Sequence, residues 1–96
     1  MRAYELMFII DPTLDSDAAE KIIQKVSQVI AAQGGEISNL DRWGKRRLAY
    51  EIDGHREGTY NVIQFRCSAA GSQEVNRVLR ITDGVIRHLL VKQEDD

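Results

Sequence analysis

The sequence predicts an α+β fold in which four antiparallel strands carry two helices on one face. Three short runs, residues 3–10, 59–67 and 85–92, are rich in branched and aromatic side chains, and residues 36–53 form a longer extended region. Two intervening segments repeat their apolar residues at helical spacing. Asp11-Pro12, Gly34-Gly35, Asp53-Gly54 and Asp83-Gly84 punctuate the chain between these elements.

The first strand, AYELMFII, ends at Asp11-Pro12, because proline cannot extend a central strand. Asp17 followed by Glu20 fits a helix-capping box, and Ala19, Ile22, Ile23, Val26, Val29 and Ile30 mark an apolar helix face up to residue 33. Residues 36–53 and 59–67 read as a hairpin with a loose turn that contains Asp53, Gly54, His55 and Gly58. Ser72 is a candidate cap for the second helix, with Val75, Val78 and Leu79 on its buried face. VIRHLLVK, residues 85–92, supplies the last strand. The order strand, helix, strand, strand, helix, strand is a ferredoxin-like split βαβ sandwich, because right-handed crossovers put both helices on one side and leave the other sheet face open.

A chain of 96 residues with 43% hydrophobic content suits one compact core. We read residues 1–92 as that domain and residues 93–96 as a short, solvated and disordered acidic tail. No stretch approaches the length of a membrane span and no signal-peptide pattern opens the chain, so a cytoplasmic location is expected. Cys67 is the only cysteine and has the parity of a core residue, which excludes an internal disulfide. His55 and His88 stand apart without metal-ligand spacing, no glycine pattern forms a phosphate loop, and Asp15 and Asp17 read as helix-start residues. Neither a metal, a cofactor nor an enzymatic activity is expected.

Alternation along the strands sorts the two sheet faces. With Leu6, Phe8, Ile63, Phe65, Cys67 and Leu90 directed at the helices, Met7, Ile9, Val62, Leu89 and Val91 form an apolar patch on the open face, rimmed by Arg66 and Arg87. That patch suits a protein partner or self-association. Aromatics for stacking bases on the open sheet are sparse, with Tyr4 and Tyr60 the candidates.

The formal charge of −2, from thirteen Lys and Arg against fifteen Asp and Glu, argues against an all-over nucleic-acid surface. The charge is segregated, however. Arg42, Lys45, Arg46 and Arg47 crowd into RWGKRR beside Trp43 and Gly44, where glycine marks a bulge, and the region is too long to pair fully with the first strand. Edge protection explains one or two such cations; four close together suit a phosphate or acidic-protein contact. Leu48, Tyr50 and Ile52 are expected to alternate into the core.

MRAYELMFIIDP, WGKRRLAYEI followed by GTY, and RITDGVIRHLLVK stand in the order and spacing of the bacterial small-subunit ribosomal protein S-six family, which the chain resembles from Met1 to about Lys92. The resemblance implies a non-enzymatic protein that binds the central domain of small-subunit ribosomal RNA together with a small basic partner, ribosomal protein S-eighteen. Carried onto this chain, the family motifs place RNA contacts at Arg2, Tyr4, Lys45, Arg46, Arg47, Arg87 and Lys92, and the charge cluster adds Arg42 to that expected set. Trp43 and Tyr60 join the open-face residues Met7, Ile9, Val62, Arg66, Leu89 and Val91 as expected partner contacts. Glu51 departs from a proline common at that place in the family. The competing function class is a small-molecule-sensing regulatory domain on the same topology, which would need a convergent polar pocket. An acylphosphatase-like enzyme would need an arginine in the loop after the first strand, where Asp11-Pro12-Thr13-Leu14-Asp15 stands instead.

Overall fold

The computed structural model describes residues 1–93. Six elements follow in the expected order: β1 (Arg2–Ile10), α1 (Ser16–Ala32), β2 (Glu36–Ile52), β3 (His55–Cys67), α2 (Ala69–Ile81) and β4 (Val85–Gln93). The strands form one antiparallel sheet in the order β2-β3-β1-β4, so the first strand to be made lies inside and β2 and β4 are the edges.

One face of the sheet is the core. Leu6, Phe8 and Ile10 of β1 and Ile63, Phe65 and Cys67 of β3 point toward α1 and α2 and meet Ile23, Val26, Ile30, Val75 and Leu79. Burial of this set removes large apolar areas from water, which is the main force closing the two layers. Tyr4 continues the same parity, is only 5% exposed, and stacks on Phe65 with ring centroids 5.6 Å apart. An RNA contact through its ring is therefore dropped from the expected set.

Both helix starts differ from the sequence expectation. Asp15 caps α1 by accepting from the Ala18 amide at 2.8 Å, which leaves Glu20 free for another partner. Ser68 caps α2 by accepting from the Gly71 amide at 3.0 Å, while Ser72 lies within the first turn and donates to the Ala69 carbonyl. Each cap sits immediately before the first helical residue, because its extended backbone can aim the side-chain oxygen at an amide that has no helical partner.

The hairpin turn is tight, not loose. Asp53 and Gly54 both have positive φ, 48° and 82°, the geometry of a two-residue turn whose twist matches the strands, and His55 already pairs with Ile52. Gly58 thus lies inside β3. At about 3.4 Å per residue a straight β2 of 17 residues would span roughly 58 Å, yet the longest extent of the molecule is 36 Å. The strand bends through extra residues near Ser38, at Trp43-Gly44, and between Arg47 and Ile52, where five steps on β2 oppose two on β3.

That last irregularity arches over the open sheet face. Leu48, expected in the helix-side core with Tyr50 and Ile52, is buried instead on the opposite side, against Gly58 and Ile9, and Tyr50 stays exposed. A Cβ on Gly58 would overlap Ile9 Cγ2, so only glycine permits the contact. Beyond the arch, Gln93 pairs with Ala3 and its amide donates to Glu5 at 3.1 Å; it belongs to β4 and not to the tail. The remaining tail expectation lies outside the described residues.

Two outcomes follow from this packing. Gly58→Ala should destabilise the fold by about 1–3 kcal/mol through overpacking, read as a lower denaturation midpoint; an unchanged midpoint would show that the Ile9 contact yields freely. His88, half-buried with Nε2 2.9 Å from Asn76 Oδ1, titrates below its ordinary 6.5 because burial, and then Arg80, disfavours its charged form. The unfolded chain binds that proton more readily, so His88 contributes stability above pH 6.5 that is lost as pH falls below it. Denaturation of His88→Gln between pH 5 and 7 should show a flatter pH profile than the parent.

Candidate nucleic-acid interface

The bulge at Gly44, which has φ 80°, governs where the cationic run points. Before it, Arg42 pairs with Asn61 on the helix side of the sheet; after it, Lys45 pairs with Thr59 on that same side, while Gly44 pairs with Tyr60 and Arg46 with Gly58 on the open side. Four nearby cations therefore diverge across two faces. Arg42 reaches α1, where its Nε donates to Glu20 Oε2 at 3.1 Å and a second bond runs from Nη2 to Oε1. The Glu20 carboxylate pushes the Arg42 guanidinium pKa up, and its charge is already balanced.

Lys45, Arg46 and Arg47 are exposed and make no ion pair among the described residues. They stand at the root of an overhang. β1 ends at Ile10, opposite Thr59, so the hairpin beyond that point has no third strand beside it. Solvated lysine and arginine there cost little to hold until an anion replaces water.

Trp43 and Tyr60 come together on the open side. Their rings are nearly parallel, 8° apart with centroids at 6.2 Å, and the Trp43 Nε1–H donates to Asp41 Oδ2 at 2.9 Å. Arg46 borders the same recess. Parity within β2 could not reveal this pair, because the extra residue at the bulge resets the alternation.

Arg87 was expected to rim the apolar patch and to meet RNA. Its Nη1 donates to the Tyr50 hydroxyl at 2.6 Å and its guanidinium lies 5.9 Å from the Tyr50 ring centroid. Tyr50 comes from β2 and Arg87 from β4, so this contact bridges the two edges of the sheet across the arch. A groove of about 280 Å³ lies beneath, walled by Met7, Ile9, Leu48, Tyr60 and Leu89. Its nearest cation is already bonded to Tyr50, and the walls offer no convergent polar set for a metabolite.

The open-face patch is narrower than expected. Leu89 and Val91 are 55% and 46% exposed and Met7 is half-buried, but Ile9 and Val62 are buried, Ile9 beneath Leu48. Neither of the two presents the surface expected of a partner contact. Arg66 shares this side, opposite Ala3, and its Nη2 donates weakly to the Met1 carbonyl at 3.4 Å. Arg2 and Lys92 are exposed at the β1 start, the opposite end of the sheet from the hairpin overhang. The expected RNA residues therefore do not form one cluster.

Cys67 is fully buried and burial pushes its thiol pKa up, which suits a core residue and not a nucleophile. Among the described residues no group of three or more His, Cys, Asp or Glu could hold a metal, and no helix is long and apolar enough to cross a membrane.

Known proteins are similar to this chain in both architecture and sequence. The family profile described as Ribosomal protein S6 matches residues 3–92. The small ribosomal subunit protein bS6 of Desulforudis audaxviator is 48% identical over 94 residues, covering 98% of this chain and all of its own length. The bS6 protein of Carboxydothermus hydrogenoformans is 46% identical, covering 98% of each chain. The crystal structure of 30S ribosomal protein S6 from Thermotoga maritima superposes with a TM-score of 0.91 at 36% identity, over 96% of this chain and 87% of that one. With the profile spanning nearly every residue of the sheet and both helices, the chain belongs to the ribosomal protein S6 family.

Proposed function

We propose that the chain is a structural, non-enzymatic component of the bacterial small ribosomal subunit, which binds the central domain of small-subunit ribosomal RNA jointly with the small basic protein S-eighteen. The observation that carries this reading is full-length similarity to small-subunit proteins, at 48% identity over 98% of the chain. The geometry supplies the means. Lys45, Arg46 and Arg47 meet phosphate at the hairpin root, and the exposed Leu89 and Val91 with Arg66 meet the protein partner on the open face.

Joint binding follows from the charge. The three cations of the Lys45–Arg47 run release few counterions, so that run alone gives weak affinity for RNA, and a basic neighbour supplies the rest. Arg2 and Lys92, at the far end of the sheet, extend the contact if the RNA runs along the domain. Arg42 contributes less, because Glu20 already holds it.

The test is filter binding or calorimetry with a central-domain RNA fragment, with and without S-eighteen. Changing Lys45, Arg46 and Arg47 together to Gln should weaken joint binding and reduce the slope of log affinity against log salt by about one for each phosphate no longer neutralised. Arg42→Gln should change that slope far less. Equal affinity and an equal slope for the triple variant would overturn the assignment of phosphate contacts to this run.

A further inference from the structure

We propose that the outer face of Trp43 is a seat for one unpaired RNA base, with Arg46 placed on the adjoining phosphate. This rests on the RNA reading above and deepens it, moving Trp43 and Tyr60 from the protein partner to the nucleic acid.

Trp43 remains 44% exposed although one ring face is laid against Tyr60. Two constraints hold the indole: the parallel stack on Tyr60 and the bond from Nε1–H to Asp41. A side chain already fixed loses little freedom when a ligand settles on it, and a flat, solvated aromatic face is what an unstacked base needs. The recess beside it is open, about 610 Å³, and bordered by Asp41, Arg42, Arg46 and Tyr60, with Arg42 already engaged by Glu20.

Charge orients the ligand. Arg46 has no carboxylate within ion-pair distance among the described residues, so a phosphate finds its cation there. Asp41 repels phosphate but has one oxygen beyond its bond to Trp43, able to accept from a base amino or imino group. Base over the indole, phosphate toward Arg46 and base edge toward Asp41 is the arrangement that satisfies all three.

A protein side chain is the poorer occupant. The recess is bordered by charges of both signs, and the exposed apolar residues Leu89 and Val91 lie on β4, at the opposite edge of the sheet from Trp43. The exposed indole face is carried by one edge strand and Leu89 and Val91 by the other, so RNA and protein can bind at once, with Tyr60 between them.

Trp43 is the only tryptophan, so its emission reports on its own surroundings. Titrating the full chain with S-eighteen and then with the central-domain RNA fragment should quench that emission at the RNA step. Trp43→Ala should weaken RNA binding on the order of tenfold, Trp43→Phe much less, and neither should alter the salt slope, because no phosphate contact is removed. Parent-like RNA affinity in Trp43→Ala, with binding otherwise intact, would overturn the seat and leave the RNA reading standing. Emission that responds to the protein alone, with Trp43→Ala impairing only that step, would assign the ring to the protein partner instead. An absence of RNA binding by the parent chain under all conditions would remove both readings together.

Discussion

The shape of the open face depends on the contact of Ile9 and Leu48 across Gly58. β1 stops at Ile10 while the β2–β3 hairpin runs on, and two unsupported strands are marginal in water. The chain solves this by folding the extra length of β2 back over the sheet, so that Leu48 becomes buried on a side that would otherwise be bare. A side chain at residue 58 would block that closure. From there the arch carries Tyr50 to Arg87, so two edge strands that share no ladder are joined by a side-chain bond.

Cation placement is a consequence of the same irregular strand. In a regular strand residues 42, 44 and 46 would share a face; the extra residue at Trp43-Gly44 sends Arg42 and Lys45 to the helix side and Trp43 and Arg46 to the open side. One cation is consumed internally by Glu20, which ties β2 to α1. That pair is half exposed on both sides and contributes little net stability. Its consequence is electrostatic: it occupies the one cation of the cluster that lies nearest α1, while the bulge at Gly44 and the contacts with Asp41 and Tyr60 set the direction of Trp43.

How much of this the sequence revealed divides along the strands. β1, β3 and β4 were legible, including which residues face the helices, because each keeps a nearly unbroken period of two. Tyr4 was misassigned to the surface although it shares the inward parity of Leu6 and Phe8; its hydroxyl and aromatic character suggested a role that its position denied. The helix caps were misplaced by two and four residues because Asp15 and Asp17, and Ser68 and Ser72, are chemically equivalent candidates. The strand ladder decides between the latter two: β3 stays paired through Cys67, so the chain turns at Ser68. Gly58 was misread as a loop residue because a glycine needed for close approach looks the same in sequence as one needed for a turn. β2 was the least legible element, since bulges leave no pattern that residue type alone discloses, and the Trp43–Tyr60 pair depends on one.

Charge arithmetic then constrains how such a chain can recognise RNA. With the three cations of the Lys45–Arg47 run making no ion pair among the described residues, the salt dependence available from that run is about two to three log units of affinity per log unit of salt, well short of what proteins that bind nucleic acid by electrostatics alone display. The acidic groups that set the net charge of −2 include Asp15 and Asp17 at the start of α1, on the helix layer and away from the open face. Phosphate attraction is thus local and modest, and discrimination must come from contacts insensitive to salt, namely an aromatic face and a protein neighbour fitted to the same sheet. A domain built in this way gains little from RNA in general and most from the one site where a base, a phosphate and a partner surface are presented together.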